Sequence, residues 1–138
     1  MPRKLLQHDV IGHRLQRVFS SYELVDGLDH APVWFQLDTG VVFQLPNFAD
    51  ETFEEASLAP DAGPIEDPSV DAVLGARIDR VVRPSDDASM FPGTVCLHVD
   101  RGRWLRVEEM YPHGVGYAGL HITEDVPWSG PIVDFWSK

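Results

Sequence analysis

The chain has 138 residues, 43% of them apolar, and a net charge of −11. That length fits one domain able to bury roughly 68–70% of the surface its unfolded chain exposes. No stretch reaches the ~18 apolar residues of a membrane-spanning helix, and the acidic balance, which repels phosphate backbones, argues against nucleic acid as a partner.

The opening residues Met1 to Leu6 carry Arg3 and Lys4, but Gln7, His8 and Asp9 interrupt any apolar run, so no secretory leader is expected. A single cysteine, Cys96, has no internal partner, which favours a reducing, cytoplasmic compartment. From Val18 to Ala76 there is no Lys or Arg, while Glu23, Asp26, Asp29, Asp38, Asp50, Glu51, Glu54, Glu55, Asp61, Glu66, Asp67 and Asp71 all fall there. This span holds essentially the whole net charge and would steer a basic partner toward itself.

A self-similarity organises the chain. Ile11-Gly12-His13-Arg14-Leu15-Gln16-Arg17-Val18 matches Leu74-Gly75-Ala76-Arg77-Ile78-Asp79-Arg80-Val81. A second match follows in the same order, Val33 to Leu45 against Val95 to Val107. Two ordered matches at nearly equal spacing indicate a duplication. The expected layout is a first copy over about 10–46, an acidic Pro-rich connection over 47–71, a second copy over about 73–108, and a Gly-rich loop with a Trp-rich tail over 109–138.

Taken in chain order, the first block of each copy reads as a strand with a bulge, because Gly12 and Gly75 disfavour a helix. Val33, Phe35 and Leu37 alternate with Trp34 and Gln36, and Val95, Leu97 and Val99 alternate with Cys96 and His98, the period of half-buried strands. Asp38-Thr39-Gly40 and Asp100-Arg101-Gly102 supply tight turns. The return strands are Val41 to Leu45 and Arg103 to Val107, with Phe43, Leu45, Leu105 and Val107 on the core face. Asn47 to Asp50 is expected to cap a short helix running to Leu58. Ala59 to Pro68 reads as an exposed loop, and Leu120 to Thr123 as a last strand. The fold class is mostly β or α+β. A duplicated β-β-β unit forms a six- to seven-stranded antiparallel sheet or partly open barrel, with one short helix between the copies.

Motifs that carry chemistry are weak. His113-Gly114-Val115-Gly116 resembles a fragment of a phosphate-cradling loop but lacks the opening helix and further glycines, so the glycines read as turn residues. His8, His13, His30, His98, His113 and His121 show no metal-ligand spacing. Cys96 and His98 share a strand face, which reads as a buried thiol beside a polar neighbour in preference to a reactive pair. Glu108 and Glu109 point to opposite faces, a poor acid/base arrangement. Arg14, Arg17, Arg77 and Arg80 read as partners for carboxylates in preference to an anion site. No catalytic residue, metal or cofactor is expected.

Two functions from different classes remain. The first is a non-enzymatic interaction module that binds a protein with a basic surface, as an immunity protein, inhibitor or adaptor of bacterial type would. It would use the second sheet face, Trp34, Val42 and Trp104, with Asp50, Glu51, Glu54 and Glu55. The tail from Val126 to Trp136 is the expected cover for that face if a partner is not. The second is a small-molecule or enzymatic pocket lined by Tyr111, His113, Tyr117, His121 and Arg77. A homodimer pairing the Trp34 and Trp104 faces is compatible with either.

Overall fold

The structure, a computed structural model, describes residues 3–46, 52–85, 95–110, 113–126 and 130–137. It is mostly β with antiparallel pairing. In chain order it runs through α1 (Gln7–Val10), β1 (Leu15–Ser20), β2 (Glu23–Val25), β3 (Leu28–His30), β4 (Val33–Leu37), β5 (Val42–Phe43), β6 (Gly63–Pro64) and α2 (Pro68–Asp71). It continues through β7 (Ile78–Pro84), β8 (Cys96–Val99), β9 (Arg103–Val107), β10 (Leu120–Thr123) and β11 (Ile132–Asp134). One sheet has the order β5-β4-β1-β6, a second has the order β10-β9-β8-β7-β11, and β2 pairs with β3 alone.

The Asp-x-Gly turns close the β4–β5 and β8–β9 hairpins, with Gly40 and Gly102 at φ of 92° and 73°, a conformation that costs glycine nothing. On either side of these turns the alternation places Val33, Phe35 and Leu37, and Val95, Leu97 and Val99, in the core. Phe43, Leu45, Leu105 and Val107 join them. One hydrophobic cluster spans residues from both sheets.

The leading strands carry the irregularity that their sequence suggests. β1 pairs with β4 through Leu15↔Leu37 and Arg17↔Gln36, with a register shift between Leu15 and Arg17. β7 pairs with β8 through Ile78↔Val99 and Arg80↔His98, with a shift between Ile78 and Arg80. Gln16 and Asp79 are therefore the extra residues of two bulges at corresponding places.

Where the two sheets meet, backbone hydrogen bonds come in matched pairs. Gly12 N–H donates to Ile78 O and Gly75 N–H to Leu15 O, both at 2.7 Å. Leu15 N–H donates to Ala76 O and Ile78 N–H to His13 O, both at 2.9 Å. Asp38 N–H donates to Arg14 O and Asp100 N–H to Arg77 O, at 3.0 and 2.9 Å. Arg14 and Arg77 face each other in an antiparallel bridge. Exchanging the two halves maps this set of bonds onto itself.

Several expectations are corrected. The strands do not form one sheet of six or seven: β1, β4 and β5 and β7, β8 and β9 lie in two separate sheets, which β6 extends to four strands and β10 and β11 extend to five. No closed barrel occurs among the described residues. Residues 47–51, the start of the expected helix, lie outside the described residues. Thr52 to Leu58 is not helical: Glu54 bridges Lys4 and Glu55 bridges Phe43. The short helix of this connection is α2, where the Asp67 carboxylate accepts the Ser69 N–H at 2.9 Å and Pro68 opens the first turn. A second short helix, α1, precedes β1, and Asp9 accepts the Leu6 N–H at 2.8 Å. Among the described residues no helix is long and apolar enough to cross a membrane.

Candidate functional site

The residues expected to form an interaction face do not come together. Trp34 is on β4 of the first sheet and is only 5% exposed. Trp104 is on β9 of the second sheet, half-buried, with its ring 4.4 Å from that of His98. Val42 is half-buried on β5. Of the tail, Phe135 and Trp136 pack on Phe53, with ring centroids 5.5 and 5.2 Å away, and the Trp136 Nε1–H donates to Leu5 O. Trp128, Asp50 and Glu51 lie outside the described residues. Glu54 is exposed, and Glu55 lies 3.6 Å from Arg3.

A different surface is exposed. Asp26 and Gly27, with φ of 51° and 79°, form the two-residue turn that suits the twist of a hairpin, and β2 and β3 project on either side of it. Leu24 is 66% exposed and Tyr22 59%, with Val25 and Leu28 also exposed. Glu23, Asp26 and Asp29 stand among them. The Tyr22 hydroxyl donates to Asp29 Oδ1 at 2.5 Å, which fixes the ring and raises the phenol above its ordinary value. At the base, His30 stands between Glu23 Oε1 (3.1 Å from Nδ1) and Glu109 Oε2 (3.3 Å from Nε2). The Ala31 N–H donates to Glu109 O at 2.7 Å. The hairpin is thus anchored at its base, and Tyr22, Leu24, Val25 and Leu28 stay exposed along it. The sequence held the signal for it: Asp-Gly between two short apolar runs.

The expected pocket assembles in part. His113, Tyr117 and His121 line an open cleft of about 630 Å³ with Asp67, Ser69 and Thr123. Arg77 does not line it; it sits at the bridge between the two halves. Tyr111 lies outside the described residues. Gly114 is needed here for close approach, since a Cβ would stand 1.9 Å from Leu120 O. His121 pairs across the sheet with Arg106, whose guanidinium bonds the Glu108 carboxylate. Burial first, then Arg106, hold the His121 imidazole below its ordinary value, with Glu108 opposing. Its Nε2, like Arg106 Nε, is buried and has no hydrogen-bond partner among the described residues.

Cys96 is fully buried, and burial pushes its thiol up to about 12 despite the nearby Arg106. A thiol so placed is no nucleophile at neutral pH. His98 donates from Nδ1 to Asp79 Oδ1 at 2.6 Å, so the bulge residue of β7 orients it. Glu108 and Glu109 turn to different partners, Arg106 and His30. Arg14 donates to Gly75 O at 2.8 Å, and Arg80 lies 3.4 Å from Asp134, so neither is directed at a shared anion. No group of three metal-ligating side chains occurs among the described residues.

No protein-family model matches this chain, and neither a curated protein nor a solved structure does so.

Proposed function

We propose that this protein is an interaction module whose β2–β3 hairpin docks a protein partner with a basic surface. The observation that carries the reading is the hairpin itself. It exposes Tyr22, Leu24, Val25 and Leu28 with Glu23, Asp26 and Asp29 between them. These side chains leave 38–66% of their surface in water; on a partner, burying the remainder would contribute about 1 kcal/mol each, a part of the roughly 1.5–3 kcal/mol that full burial of a large aliphatic chain is worth. The carboxylates among them favour a cationic partner and raise its rate of encounter. An inhibitor, immunity or adaptor role is compatible with this chemistry. The docking surface differs from the Trp34–Trp104 face, because Trp34 is buried and the two rings belong to different sheets; the same burial leaves a homodimer through that face without support. We also propose that the two halves arose by duplication, supported by the matched registers and the reciprocal hydrogen bonds.

The test is to identify the partner by cross-linking in the native host and then measure purified binding by calorimetry at two salt concentrations. The hairpin reading expects cross-links on residues 22–30, an affinity that falls with salt, and at least a tenfold loss in Leu24→Ser/Leu28→Ser with the melting temperature unchanged. Cross-links elsewhere, or a double variant that binds normally, would sink it.

A second reading has one observation in its favour. His121 Nε2, which has no hydrogen-bond partner among the described residues, lies beside the His113–Tyr117 cleft and suits a small ligand with a hydrogen-bonding group. Native mass spectrometry of protein purified from its host would reveal such a ligand as added mass, and His121→Ala should then remove it.

A further inference from the structure

A second open groove, of about 430 Å³, lies beside the hairpin base. Tyr22 and Tyr117 line it together with Ser20, Ser21, Asp61 and Glu66. We infer that this groove is a receptor for an arginine side chain of a basic partner, an inference that rests on the interaction reading above and gives it a specific contact.

Three observations converge. The first is Tyr117. The residue is 88% exposed, and its backbone is held at a φ of 62°. A bulky residue with positive φ is uncommon and strained. The fold gains no burial from this ring, so its conformation is better explained by what the ring presents. Tyr117 stands at the lip shared by this groove and the His113–His121 cleft.

The second is Tyr22, whose hydroxyl is tied to Asp29, so its ring is held in place on the same groove. The third is charge. The groove is lined from residues 20–22, 61–66 and 116–118. The first two segments fall in the span from Val18 to Ala76 that has no Lys or Arg, and no Lys or Arg occurs from Val107 to Ser137 either. Asp61 and Glu66 make no ion pair among the described residues. Two aromatic faces with two carboxylates that lack a cation among the described residues match a guanidinium, which stacks on rings and donates to carboxylates through its planar fork. An ammonium has the charge without the flat stacking surface.

The experiment titrates ¹⁵N-labelled protein with the capped peptides acetyl-GRGRGR-amide and acetyl-GKGKGK-amide. The arginine peptide should shift residues 20–22, 61–66 and 116–118 and bind at least threefold tighter than the lysine peptide. Tyr117→Ala keeps the net charge and should weaken the arginine peptide about threefold to tenfold. Asp61→Asn/Glu66→Gln should weaken it more than Glu124→Gln/Asp125→Asn, which removes the same charge elsewhere. If Tyr117→Ala binds as well as wild type, or both charge pairs lose affinity equally, attraction is diffuse and the groove is not the receptor. If the arginine peptide shifts no groove residue at millimolar concentration, the receptor is likewise overturned. The hairpin reading is decided separately, by the Leu24→Ser/Leu28→Ser variant and its partner, so the two can fail independently.

Discussion

The two sheets lead with strands of the same register and bulge, but they fill their cores differently. In the first sheet β4 and β5 contribute Phe35 and Phe43, stacked with centroids 5.5 Å apart. The chain of rings continues through Phe53 to Phe135 and Trp136. The second sheet uses Leu97 and Leu105 at the corresponding positions, opposite one another in the β8–β9 register, with Ile122 next in line on β10. The backbone pattern thus constrains which positions face inward, while the residue type decides what can be recruited against them. Large rings on the short β5 draw in the extended segment around Phe53 and the C-terminal tail. Aliphatic chains on the longer β9 are completed by another strand.

The sharpest way to break this contrast is to remove the ring that joins the first sheet to the C-terminal tail. Phe53 contacts Phe43, Phe135 and Trp136 and is 2% exposed. Phe53→Ala should cost about 3–5 kcal/mol, and Leu105→Ala in the second sheet about 2–5 kcal/mol, both read from urea unfolding. The two variants should also differ in kind. Phe53→Ala should speed amide exchange at Phe135 and Trp136, whereas Leu105→Ala should leave the tail protected relative to β8 and β9. Equal effects on the tail would mean that the aromatic chain does not hold it.

A smaller effect tests the matched residues Arg14 and Arg77. Their backbones bridge each other, yet the Arg14 side chain donates to Gly75 O while Arg77 is bonded through its N–H, to Asp100. Arg14→Ala should cost about 0.5–1.5 kcal/mol, the net worth of one hydrogen bond. Arg77→Ala keeps its backbone bond and should stay within about 0.5 kcal/mol of wild type. A reversed order would show that the equivalence of the backbones does not extend to this difference in side chains.

How far the sequence revealed this molecule follows the range of the interactions. The hairpins over β4–β5 and β8–β9, the core phase of their strands, the bulged strands and the span of β10 rest on local patterns: alternation of period two, Asp-x-Gly turns, glycine before a strand. The two-residue strands of the β6 kind are not local. Gly63–Pro64 pairs with β1 because the chain returns there, and nothing in a Gly-Pro pair encodes that. The same holds for β11 on β7. Two local signals were present but not read: Asp26-Gly27 for the exposed hairpin, and Asp67-Pro68 for the helix start that lies well after the expected one. For the candidate sites, alternation put Trp34 on the opposite face from Phe35 but carried no information on whether that face is covered. His113, Tyr117 and His121 are close in sequence and did come together on one cleft; Arg77, distant in sequence, did not.

The weakest expected effect separates the two sheets by acid. His121, on the outer strand of the second sheet, is held by burial and by Arg106 below the ordinary imidazole value of 6.5. As pH falls, the unfolded chain therefore takes up this proton before the folded one. The stability linked to His121 is complete above about pH 6.5 and declines as pH falls from there toward the folded-state value. Asp9 and Asp67 act in the same direction at lower pH, because hydrogen bonds from Leu6 and from Ser69 hold them below 3.8; their stabilisation is lost only as pH falls through those depressed values. Amide exchange at Ile122, in β10, should accelerate relative to Phe35, in β4, as pH drops from 7 to 5.5, after correction for intrinsic exchange. His121→Gln has no proton to gain and should abolish that relative change. A slope that persists in His121→Gln would assign the acid sensitivity to another group, and an equal acceleration at Phe35 would mean that the two sheets open as one unit.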